Sequence, residues 1–462
     1  METARPAELR IEPGLVPPAP TQRPARTRLS FALTAYNVVL PLGLLLALPG
    51  SILKMRRRGS SWREFRERCG FYGQETRQRL ALMNKPFWLH AVSVGEVLVA
   101  RKLIAELVRQ RPDTDIVLST TTSTGYAVAR QNAPPGLQVI HNPLDLRACV
   151  RRALDAIQPG QLVLIEAEVW PNLVTQSRKW GVPVSLANAR LSPRSERRYR
   201  RWHYLVSPFF SLLDKVFVPE PEDCERWIAI GVRAEAIAVA GGVKHDYEAE
   251  QADARVRGFE ELLGALWGRP LPPLLLVAST HSGEEAALAR VYLSLRRKFP
   301  RLKLLVAPRH FERAASVMQE LQKLGLVTGR RSQSPKGDLD AFIIDTTGEL
   351  RGWQALADVV VIGKSFLSTG GQNPVEALMA GRPVVFGPHM ENFASLVAAL
   401  LSHKGAIQVS SLDELEFAIC RLLENPDAAR QLVENGRRVL APHQGAARRT
   451  AQALLAAEGI RE

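Results

Sequence analysis

The stretch "STGGQNPVEALMAGRPVVFGPHMENF", Ser368–Phe393, combines a glycine pair, a helix start and a short apolar run. Asn373 suits an N-cap, Pro374 the first helical position, and Glu376 the carboxylate position of a capping box. The run "RPVVFGP" after this helix predicts a buried parallel strand. Glycines let the backbone approach a neighbour closely, and the N–H groups at a helix start favour an anion. The stretch therefore predicts a phosphate-binding loop in an α/β domain.

The same alternation of apolar runs and helical stretches covers most of the chain. A first series reads "PFWLHAV", "DIVLSTT", "QLVLIEAE", "VPVSLANA" and "KVFVPE"; a second reads "PPLLLVAST", "LKLLVAPRH", "AFIIDTT", "ADVVVIG" and "RPVVFGP". Runs this short and this apolar are typical of strands covered by helices on both faces. We predict an α/β fold with two Rossmann-like, doubly wound parallel-sheet domains that face a cleft.

The length of 462 residues is too great for one ordinary core, which favours two domains plus appendages. We predict a disordered basic tail over residues 1–30, a membrane anchor over 31–55, an N-terminal domain over 56–245 and a C-terminal domain over 246–462. Pattern alone places the domain boundary, within "GGVKHDYEAEQADARVRG". A return of the last helices to the N-terminal domain is left open.

The stretch "FALTAYNVVLPLGLLLALP", Phe31–Pro49, carries no charge and has about the length of a bilayer core. It predicts a membrane-anchoring helix, whereas Asn37 and Pro41 leave open a kinked helix that lies in the interface. A cleaved signal peptide is disfavoured, because the basic run "KMRRR" follows directly. The dense basic cluster over Lys54–Arg68 favours a cytoplasmic location for the large C-terminal part.

The formal net charge is +15, and the first 80 residues hold 14 Lys/Arg against 6 Asp/Glu, so 14 − 6 = +8 lies there. This asymmetry predicts an anionic membrane surface near the N-terminus. The four cysteines are far apart and form no CxxC or Cys/His pair, so neither a disulfide framework nor a zinc site is indicated. We expect no metal and no cofactor.

A second basic stretch, "RLSPRSERRYRRW" over Arg190–Trp202, has six arginines and one glutamate, with aromatic residues between them. It suits contact with lipid headgroups or with the phosphates of an acceptor, and a solvated basic face is the alternative. No recognised nucleic-acid module accompanies it, so we expect no nucleic-acid partner.

Polar residues follow several predicted strands, where ligands of open parallel sheets bind. Ser93 and Glu96 fit a capping box, and so do Ser282 and Glu285, so each pair also has a purely structural interpretation. Taken together, the strand ends place two carboxylates on the first half and anion and hydroxyl binders on the second. This arrangement is typical of a nucleotide-sugar site, with Glu96 suited to act as a general base.

The motifs "HAVSVGEV", "EAEVWPNL", "ANARLSPRS", "ASTHSGEE", "APRHFER", "DTTGEL" and "GGQNPVEALMAGRPVVFGPHMENF" occur in one order along the chain. In order and spacing they resemble the 3-deoxy-D-manno-octulosonic acid (Kdo) transferases of lipopolysaccharide synthesis. The resemblance implies two Rossmann-like domains of GT-B type and an N-terminal membrane anchor. It also implies inverting transfer of Kdo from CMP-Kdo to a lipid A precursor, without a metal ion, on the cytoplasmic side of the inner membrane.

The resemblance also implies roles for individual residues. Glu96 corresponds to the catalytic base, and the "PRH" and "NPxE" elements are associated with the donor nucleotide. The predicted catalytic residues are Glu96 and Glu168, and the predicted acceptor-side residues are Ser93, Gly95 and Arg190. The predicted donor-binding residues are Ser279, Thr280, Arg309, His310, Gly348, Glu349, Gly370, Gly371, Gln372, Asn373 and Glu376.

Three departures from the family pattern concern mainly the donor side. Gln372 stands where the family usually has the His of "GGHN", and Lys364 makes "GKS" of the family's "GGS". The family's "GNLKFD" is "GGVKHD" here, which keeps Gly241, Lys244 and Asp246. A related lipid-directed glycosyltransferase with another donor, such as a UDP-sugar, is therefore the alternative. An inactive membrane scaffold is disfavoured, because Glu96 and the glycine pair are present.

Overall fold

The computed structural model of the chain describes residues 26–58, 62–131, 133–134, 136–246 and 253–459. The chain divides into two compact units, one formed by Met1–Asp246 with Gly445–Glu462 and the other by Tyr247–Gln444. Each unit is built on a parallel seven-stranded sheet with helices around it. The predicted α/β class and the two parallel-sheet domains are confirmed.

The N-terminal helix α1 spans Arg26–Arg58, 33 residues. It begins before the predicted anchor, so residues 26–30 are helical and do not belong to a disordered tail; residues 1–25 lie outside the described part. The helix continues through Pro41. Among the residues described, no helix combines the length and the apolar character that crossing a bilayer requires.

Polar contacts hold α1 against the first domain. The Arg28 guanidinium donates to the Tyr204 carbonyl at 3.0 Å and to the Ser207 hydroxyl at 2.9 Å. The side-chain amides of Asn37 and Asn172 bond to each other at 2.9 and 3.2 Å. Asn37, which the sequence suggested would weaken a membrane span, thus has a partner in the domain.

The remaining elements of the first domain up to residue 246 follow in chain order: α2 Trp62–Arg68, α3 Gln74–Ala81, β1 Phe87–Ala91, α4 Val94–Gln110, β2 Ile116–Thr120, α5 Ser123–Arg130, β3 Leu137–His141, α6 Arg147–Ile157, β4 Gln161–Ile165, α7 Pro171–Lys179, β5 Val184–Ala187, α8 Pro193–Arg201, α9 His203–Phe210, β6 Lys215–Val218, α10 Pro221–Ile228 and β7 Ile237–Val239. The sheet order is β3-β2-β1-β4-β5-β6-β7, all parallel. Strands β2 and β3 therefore lie on one side of β1, and strands β4 to β7 lie on the other, so the topology switches between β1 and β4. In open α/β sheets such a switch point is where ligands bind.

Alternate residues of each strand enter separate cores on the two faces of the sheet. Trp88 packs on one face with Leu162 and Leu164, whereas Leu89 packs on the other with Val163. All five are completely buried. This two-sided burial explains why the strand sequences read as continuous apolar runs.

The second domain has these elements: α11 Asp253–Trp267, β8 Leu274–Thr280, α12 Glu284–Lys298, β9 Lys303–Pro308, α13 Ala314–Lys323, β10 Thr328–Arg330, β11 Ala341–Ile343, α14 Leu350–Leu356, β12 Val359–Ile362, α15 Val375–Met379, β13 Val384–Phe386, α16 Ala394–Ser402, β14 Ile407–Gln408, α17 Leu412–Glu424 and α18 Pro426–Leu440. The order β10-β11-β9-β8-β12-β13-β14 is again all parallel. Its switch point lies between β8 and β12.

The last helix, α19 over Ala446–Gly459, belongs to the first unit. Its buried residues Ala451 and Leu454 join the same core as Leu103 of α4. The chain thus returns to the first domain after completing the second, an outcome that the sequence pattern left open. All four cysteines lie in the described part of the chain and are free thiols.

Candidate active site

Glu96 is the third residue of α4, which follows β1, and Ser93 is the N-cap of this helix. The Glu96 N–H donates to the Ser93 hydroxyl oxygen at 3.4 Å, and the Val92 N–H donates to Glu96 Oε2 at 2.8 Å. The Ser93 hydroxyl in turn donates to Oε1 at 2.7 Å. An ionised carboxylate offers about four lone-pair positions, so these bonds leave about two for a ligand. Glu96 is 7 % exposed, and capping and ligand binding are compatible here.

Gly95 precedes Glu96 on the exposed side of the same helical turn. A Cβ added to Gly95 would meet only the Ser93 hydroxyl, at 3.9 Å. Packing within the domain therefore does not require glycine at this position, and the surface in front of Glu96 is open to an approaching molecule.

Two further carboxyls follow β4, the strand next to β1. Burial, and then the charge of Glu96, raise the pKa of Glu168 to about 7. The same two causes raise the pKa of Glu166. Strands β1 and β4 are hydrogen-bonded neighbours, and the charge of Glu96 acts on both carboxyls that follow β4, so the three carboxyls lie near one another at the ends of these strands. The structure therefore brings the two predicted catalytic carboxyls together at the switch point.

Glu166 also has a backbone conformation that is uncommon for its type, with φ of 62°. Its N–H donates to the Ala187 carbonyl at 3.0 Å, which ties the turn to β5. A non-glycine residue in this region costs about 1–3 kcal/mol, and such residues concentrate at functional sites. The turn after β4 thus holds Glu166 in place at some cost to stability.

Two cations complete this group. Arg190, a predicted acceptor-side residue, follows β5, and its charge opposes the rise of the Glu166 pKa, as does that of Lys244. Burial and the neighbouring Arg190 lower the pKa of Lys244. The first domain therefore carries a mixed group of three carboxyls, after β1 and β4, and two cations, Arg190 after β5 and Lys244 after β7.

The motif "GGVKHD" now has a structural explanation. Gly241 has φ of 83°, which glycine adopts readily. The Lys102 ammonium donates to the carbonyls of Lys244 and Asp246, at 3.3 and 2.7 Å, and so fixes the short 3₁₀ turn over Val243–His245. Lys102 thus fixes the backbone of the turn that carries Lys244, whose charge acts on Glu166.

In the second domain, Ser279 and Thr280 lie at the end of β8, where the register with β9 shifts. Ser279 has φ of 58°, and its carbonyl lies 3.4 Å from His281 Nδ1. The Thr280 hydroxyl is completely buried and donates to the Glu285 carboxylate at 2.9 Å. The side chain of Thr280 is therefore engaged within the domain, although it was predicted to bind the donor.

The predicted capping box of Ser282 and Glu285 is wrong. Helix α12 begins at Glu284, and Glu285 pairs instead with Arg313 at 2.7 Å. The Glu284 carboxylate accepts the His281 N–H at 2.9 Å. It also accepts three N–H groups of the loop after β12, at 2.7, 3.1 and 3.2 Å, from Lys364, Ser365 and Phe366. Glu284 is completely buried and joins the two strands of the switch point.

Arg309 and His310 follow β9, and both side chains are exposed. The Arg309 N–H donates to the Thr280 carbonyl at 3.0 Å, which keeps the two loops together. The His310 ring meets the His281 ring edge to face, with 5.9 Å between centroids. These residues lie together at the carboxyl ends of β8 and β9, and their donor-binding role stays a prediction.

Gly348 and Glu349 lie one strand further out, after β11. Gly348 has φ of 78°, and the Glu349 carboxylate accepts the Thr346 hydroxyl at 2.5 Å and the Trp353 indole N–H at 3.4 Å. It also lies 3.5 Å from Arg331. The contacts of Glu349 are those of a residue that starts α14, and its donor-binding role stays a prediction.

The glycine pair has a packing role that the sequence did not reveal. Gly370 and Gly371 have φ of 114° and 67°, and both are buried. A Cβ on Gly370 would lie 2.7 Å from the Asn392 amide nitrogen, and one on Gly371 would lie 2.4 Å from the Met390 sulfur. The close approach that requires these glycines is thus to the 389–392 loop.

The helix after the glycine pair is shorter and later than predicted. Helix α15 spans Val375–Met379, five residues, with Pro374 rather than Asn373 in the N-cap position. The Asn373 side chain still accepts the Val375 N–H, at 3.1 Å. Gln372 and Glu376 are half-buried. So short a helix has little dipole, so anion binding by its N-terminus lacks the expected basis.

The amino-acid sequence is similar to those of several known proteins. Residues 63–247 match the family model described as 3-deoxy-D-manno-octulosonic-acid transferase. The 3-deoxy-D-manno-octulosonic acid transferase of Bordetella pertussis is 34% identical over 414 residues, 87% of this chain and 94% of the relative. The transferase of the same name from Haemophilus influenzae is 32% identical over 388 residues, 83% of this chain and 88% of the relative.

The chain belongs to the Kdo transferase family. It is a glycosyltransferase, as the motifs predicted. A solved structure of a putative UDP-N-acetylglucosamine 2-epimerase from Listeria monocytogenes is also similar, with a TM-score of 0.53 and 12% identity, covering 82% of this chain and 98% of that one. At this identity the likeness concerns the fold alone.

Three residues of the transferase's two strand-end clusters escaped prediction: Glu166, Lys244 and Glu284. The signals were present, since Glu166 begins the "EAE" motif and Lys244 lies in a motif already recognised. The electrostatic environment of both side chains depends on neighbours that are distant in sequence, such as Glu96 in the case of Glu166. Glu284 resembled an ordinary first-turn acid, because its partners lie 80–82 residues away.

Proposed function

We propose that this transferase moves Kdo from CMP-Kdo to a lipid A precursor, with inversion at the anomeric carbon, in lipopolysaccharide synthesis. The relatives named above support Kdo as the transferred sugar. The observation that carries the proposal is the pair of carboxyls, Glu96 and Glu168, at the ends of adjacent strands β1 and β4. A group that removes a proton from an acceptor hydroxyl is what an inverting transfer needs.

In this mechanism the acceptor hydroxyl donates to a remaining lone pair of the Glu96 carboxylate. As the hydroxyl oxygen bonds to the anomeric carbon, the bond from that carbon to the CMP phosphate oxygen breaks, and CMP leaves with the electron pair. Glu96 takes the proton. Glu168, with a pKa of about 7 because of burial and the Glu96 charge, is half-protonated at neutral pH and limits the repulsion in the cluster.

The donor is assigned to the second domain, where Arg309, His310 and the 370–376 segment follow strands of the same sheet. The exposed Arg309 side chain offers a planar fork for phosphate oxygens. The acceptor is assigned to the first domain, where Arg190 and Lys244 can pair with the phosphates of a lipid A precursor. The proposed partners are thus both anionic, which accords with the basic character of the chain.

The proposed location is the cytoplasmic face of the inner membrane. Helix α1 presents Phe31, Val38, Leu42 and Leu46 on one side, each more than half exposed. Arg28 of α1 stacks on Tyr204, 4.5 Å from the ring centroid, beside the arginine-rich helix α8. Exposed apolar side chains next to a basic helix suit a surface of anionic lipid.

The test is incubation of the full chain with CMP-Kdo and a tetraacyl lipid A precursor, with mass spectrometry of the lipid. The expected product is the precursor enlarged by Kdo, and UDP-sugars should give none. Product from a UDP-sugar alone would favour the related glycosyltransferase with another donor. No product from any donor would favour the inactive scaffold.

The role of Glu96 is tested by Glu96→Gln, which keeps the size and much of the capping while removing the basicity. Turnover should fall by roughly 100-fold or more. Glu414→Gln is a matched control, because Glu414 closes the same kind of capping box in α17, with its carboxylate 2.7 Å from the Ser410 nitrogen. Near-normal turnover in folded Glu96→Gln would refute the base assignment.

A further inference from the structure

Lys364 occupies a backbone position that suits glycine better. It directly follows Gly363 after β12, and its φ is 55°. A residue with a side chain is strained in this left-handed region, whereas glycine adopts it readily. Residues with such strain concentrate at functional sites, so a lysine at this position indicates a role other than stabilising the fold.

Glu284 fixes the backbone position of Lys364. The buried carboxylate binds the N–H groups of Lys364, Ser365 and Phe366 and that of His281. It thereby ties the end of β12 to the end of β8. These strands flank the switch point of the second sheet, and ligands of open α/β sheets bind there.

The ammonium of Lys364 lies over the glycine loop. It is 3.5 Å from the point where a Gly370 Cβ would stand, and the Gly371 N–H donates to the Lys364 carbonyl at 3.0 Å. A Cβ on Gly370 would make only an ordinary van der Waals contact with the ammonium, whereas it would clash with the Asn392 amide nitrogen at 2.7 Å. Lys364 is thus bonded through its carbonyl to the glycine loop, and its ammonium lies beside Gly370.

Lys364 lies near the His281 ring, which in turn meets the His310 ring edge to face. Burial and the charges of Lys364 and His310 lower the pKa of His281, which faces the same space. Of the nearby acids, Glu284 is used by backbone N–H groups, and Glu391 binds the Gly370 N–H and the His389 ring. Within the described residues, no carboxylate forms an ion pair with Lys364. A half-buried cation without a counter-ion suits an anionic ligand.

We propose that Lys364 binds the donor, with its ammonium against an anionic oxygen of the nucleotide sugar. Two groups of the proposed donor have this chemistry, the phosphate of the nucleotide and the carboxylate of the sugar acid. Lys364 is not among the residues assigned to the donor above, and the inference rests on the proposed function. Glu284 is then a positioning residue, which holds Lys364 and touches no donor.

The decisive variant is Lys364→Gly, because it should preserve or raise the stability of the fold while it weakens binding of the donor. Glycine relieves the positive φ, so the melting temperature should stay the same or rise. If the ammonium binds the phosphate, its loss should weaken CMP binding, measured by calorimetric titration of the full chain, by roughly 10-fold or more. If Lys364 were retained for the fold alone, stability would fall, and neither the CMP affinity nor the KM for CMP-Kdo would change.

Lys404→Gly is the matched control. Lys404 also has a positive φ, 53°, and its side chain is exposed at the end of α16. It should show the same relief of strain with unchanged CMP affinity. A further variant, Lys364→Met, keeps the length of the side chain without the charge and should bind CMP as weakly as Lys364→Gly.

The two anionic groups are separated by the choice of ligand. If Lys364 binds the phosphate, the loss appears with CMP and not with cytidine. If it binds the carboxylate, CMP affinity is unchanged and the KM for CMP-Kdo rises roughly 10-fold. Unchanged CMP affinity together with an unchanged KM in Lys364→Gly and Lys364→Met would overturn this inference alone. Failure of the unmodified chain to bind CMP would overturn the proposed donor, and this inference with it.

Discussion

Asp246 binds Ala447 across 201 residues of sequence: the Asp246 carboxylate accepts the Ala447 N–H at 2.7 Å. Its other oxygen accepts the Gly445 N–H at 2.8 Å. These bonds satisfy backbone donors where α19 begins, and they join the end of the "GGVKHD" motif to the last helix. One side chain thus connects the proposed acceptor-side turn with the C-terminal helix of the same domain.

Asp246→Ala is therefore expected to destabilise the first domain. Two backbone donors would lose a charged acceptor, and a hydrogen bond to a charged group contributes about 1.5–3 kcal/mol. We expect a loss of at least about 2 kcal/mol, measured by urea denaturation with a probe of the first domain. Asp413→Asn, at an exposed position in α17, is the control and should have little effect. An unchanged midpoint in Asp246→Ala would show that the core contacts of α19 suffice.

The pKa of Glu168 predicts a pH dependence of stability. Its folded value of about 7 exceeds the ordinary 4.5, with burial as the main cause. Between these values the folded chain holds a proton that the unfolded chain releases, so stability falls as the pH rises from about 4.5 to about 7. Glu168→Gln removes this titration. The melting temperature of Glu168→Gln should be higher than that of the unmodified chain, by a difference that grows from pH 5 to pH 8.

Glu196 supplies a control of opposite sign. A hydrogen bond from Arg226 lowers the pKa of Glu196, so its contribution to stability is present above the ordinary pKa and is lost as the pH falls below it. Glu196→Gln should therefore lower the melting temperature at neutral pH and have a smaller effect at pH 4. Melting curves of Glu168→Gln that parallel the unmodified chain at every pH would contradict the predicted carboxyl cluster.

Glu284→Gln should be among the more damaging single substitutions in the second domain. The carboxylate accepts four backbone N–H groups while completely buried, whereas a glutamine amide has one acceptor and brings two donors. Donors that face donors cost about 1–3 kcal/mol for each group left unsatisfied. Urea denaturation should show the loss, and the exposed Glu312→Gln should not. Equal stability of the two variants would contradict the described loop.

The sequence predicted the sheets well and the capping boxes unevenly. Strands such as Phe87–Ala91 are continuous apolar runs because both faces are covered, and that pattern is local. The cap formed by Ser93 is also local and was correct, although the Glu96 carboxylate accepts the N–H of Val92 and not that of Ser93. The predicted box of Ser282 and Glu285 failed because long-range partners bind the acids at the start of α12. The loop after β12 binds Glu284, and Arg313 binds Glu285.

The glycine pair shows the same limit at the candidate site. The sequence correctly indicated that Gly370 and Gly371 permit another group to approach the backbone closely. It could not identify that group. The approaching group is the 389–392 loop of the chain itself. The carboxyl cluster around Glu168 was likewise only half predicted, because the electrostatic effect of Glu96 depends on β1 and β4 being neighbours.

One side of α1 is apolar and exposed, and we expect it to contact lipid. If it enters a lipid surface, the double variant Val38→Glu/Leu42→Glu should bind vesicles of phosphatidylethanolamine and phosphatidylglycerol at least roughly 10-fold more weakly, since burial of one such side chain contributes about 1.5–3 kcal/mol. The melting temperature should not change, because both side chains are 57–58 % exposed. Flotation of the full chain with vesicles measures the binding.

Phe417→Glu, at an apolar side chain 65 % exposed in α17, is the control and should bind vesicles normally. Salt separates the two contributions, because at 1 M the screening length falls to about 3 Å. The attraction of the α8 arginines to anionic lipid should then vanish, while the apolar contact of α1 persists. The unmodified chain should therefore remain partly bound at high salt, and the double variant should be released completely. Equal flotation of both chains at 1 M salt would mean that α1 does not enter the lipid.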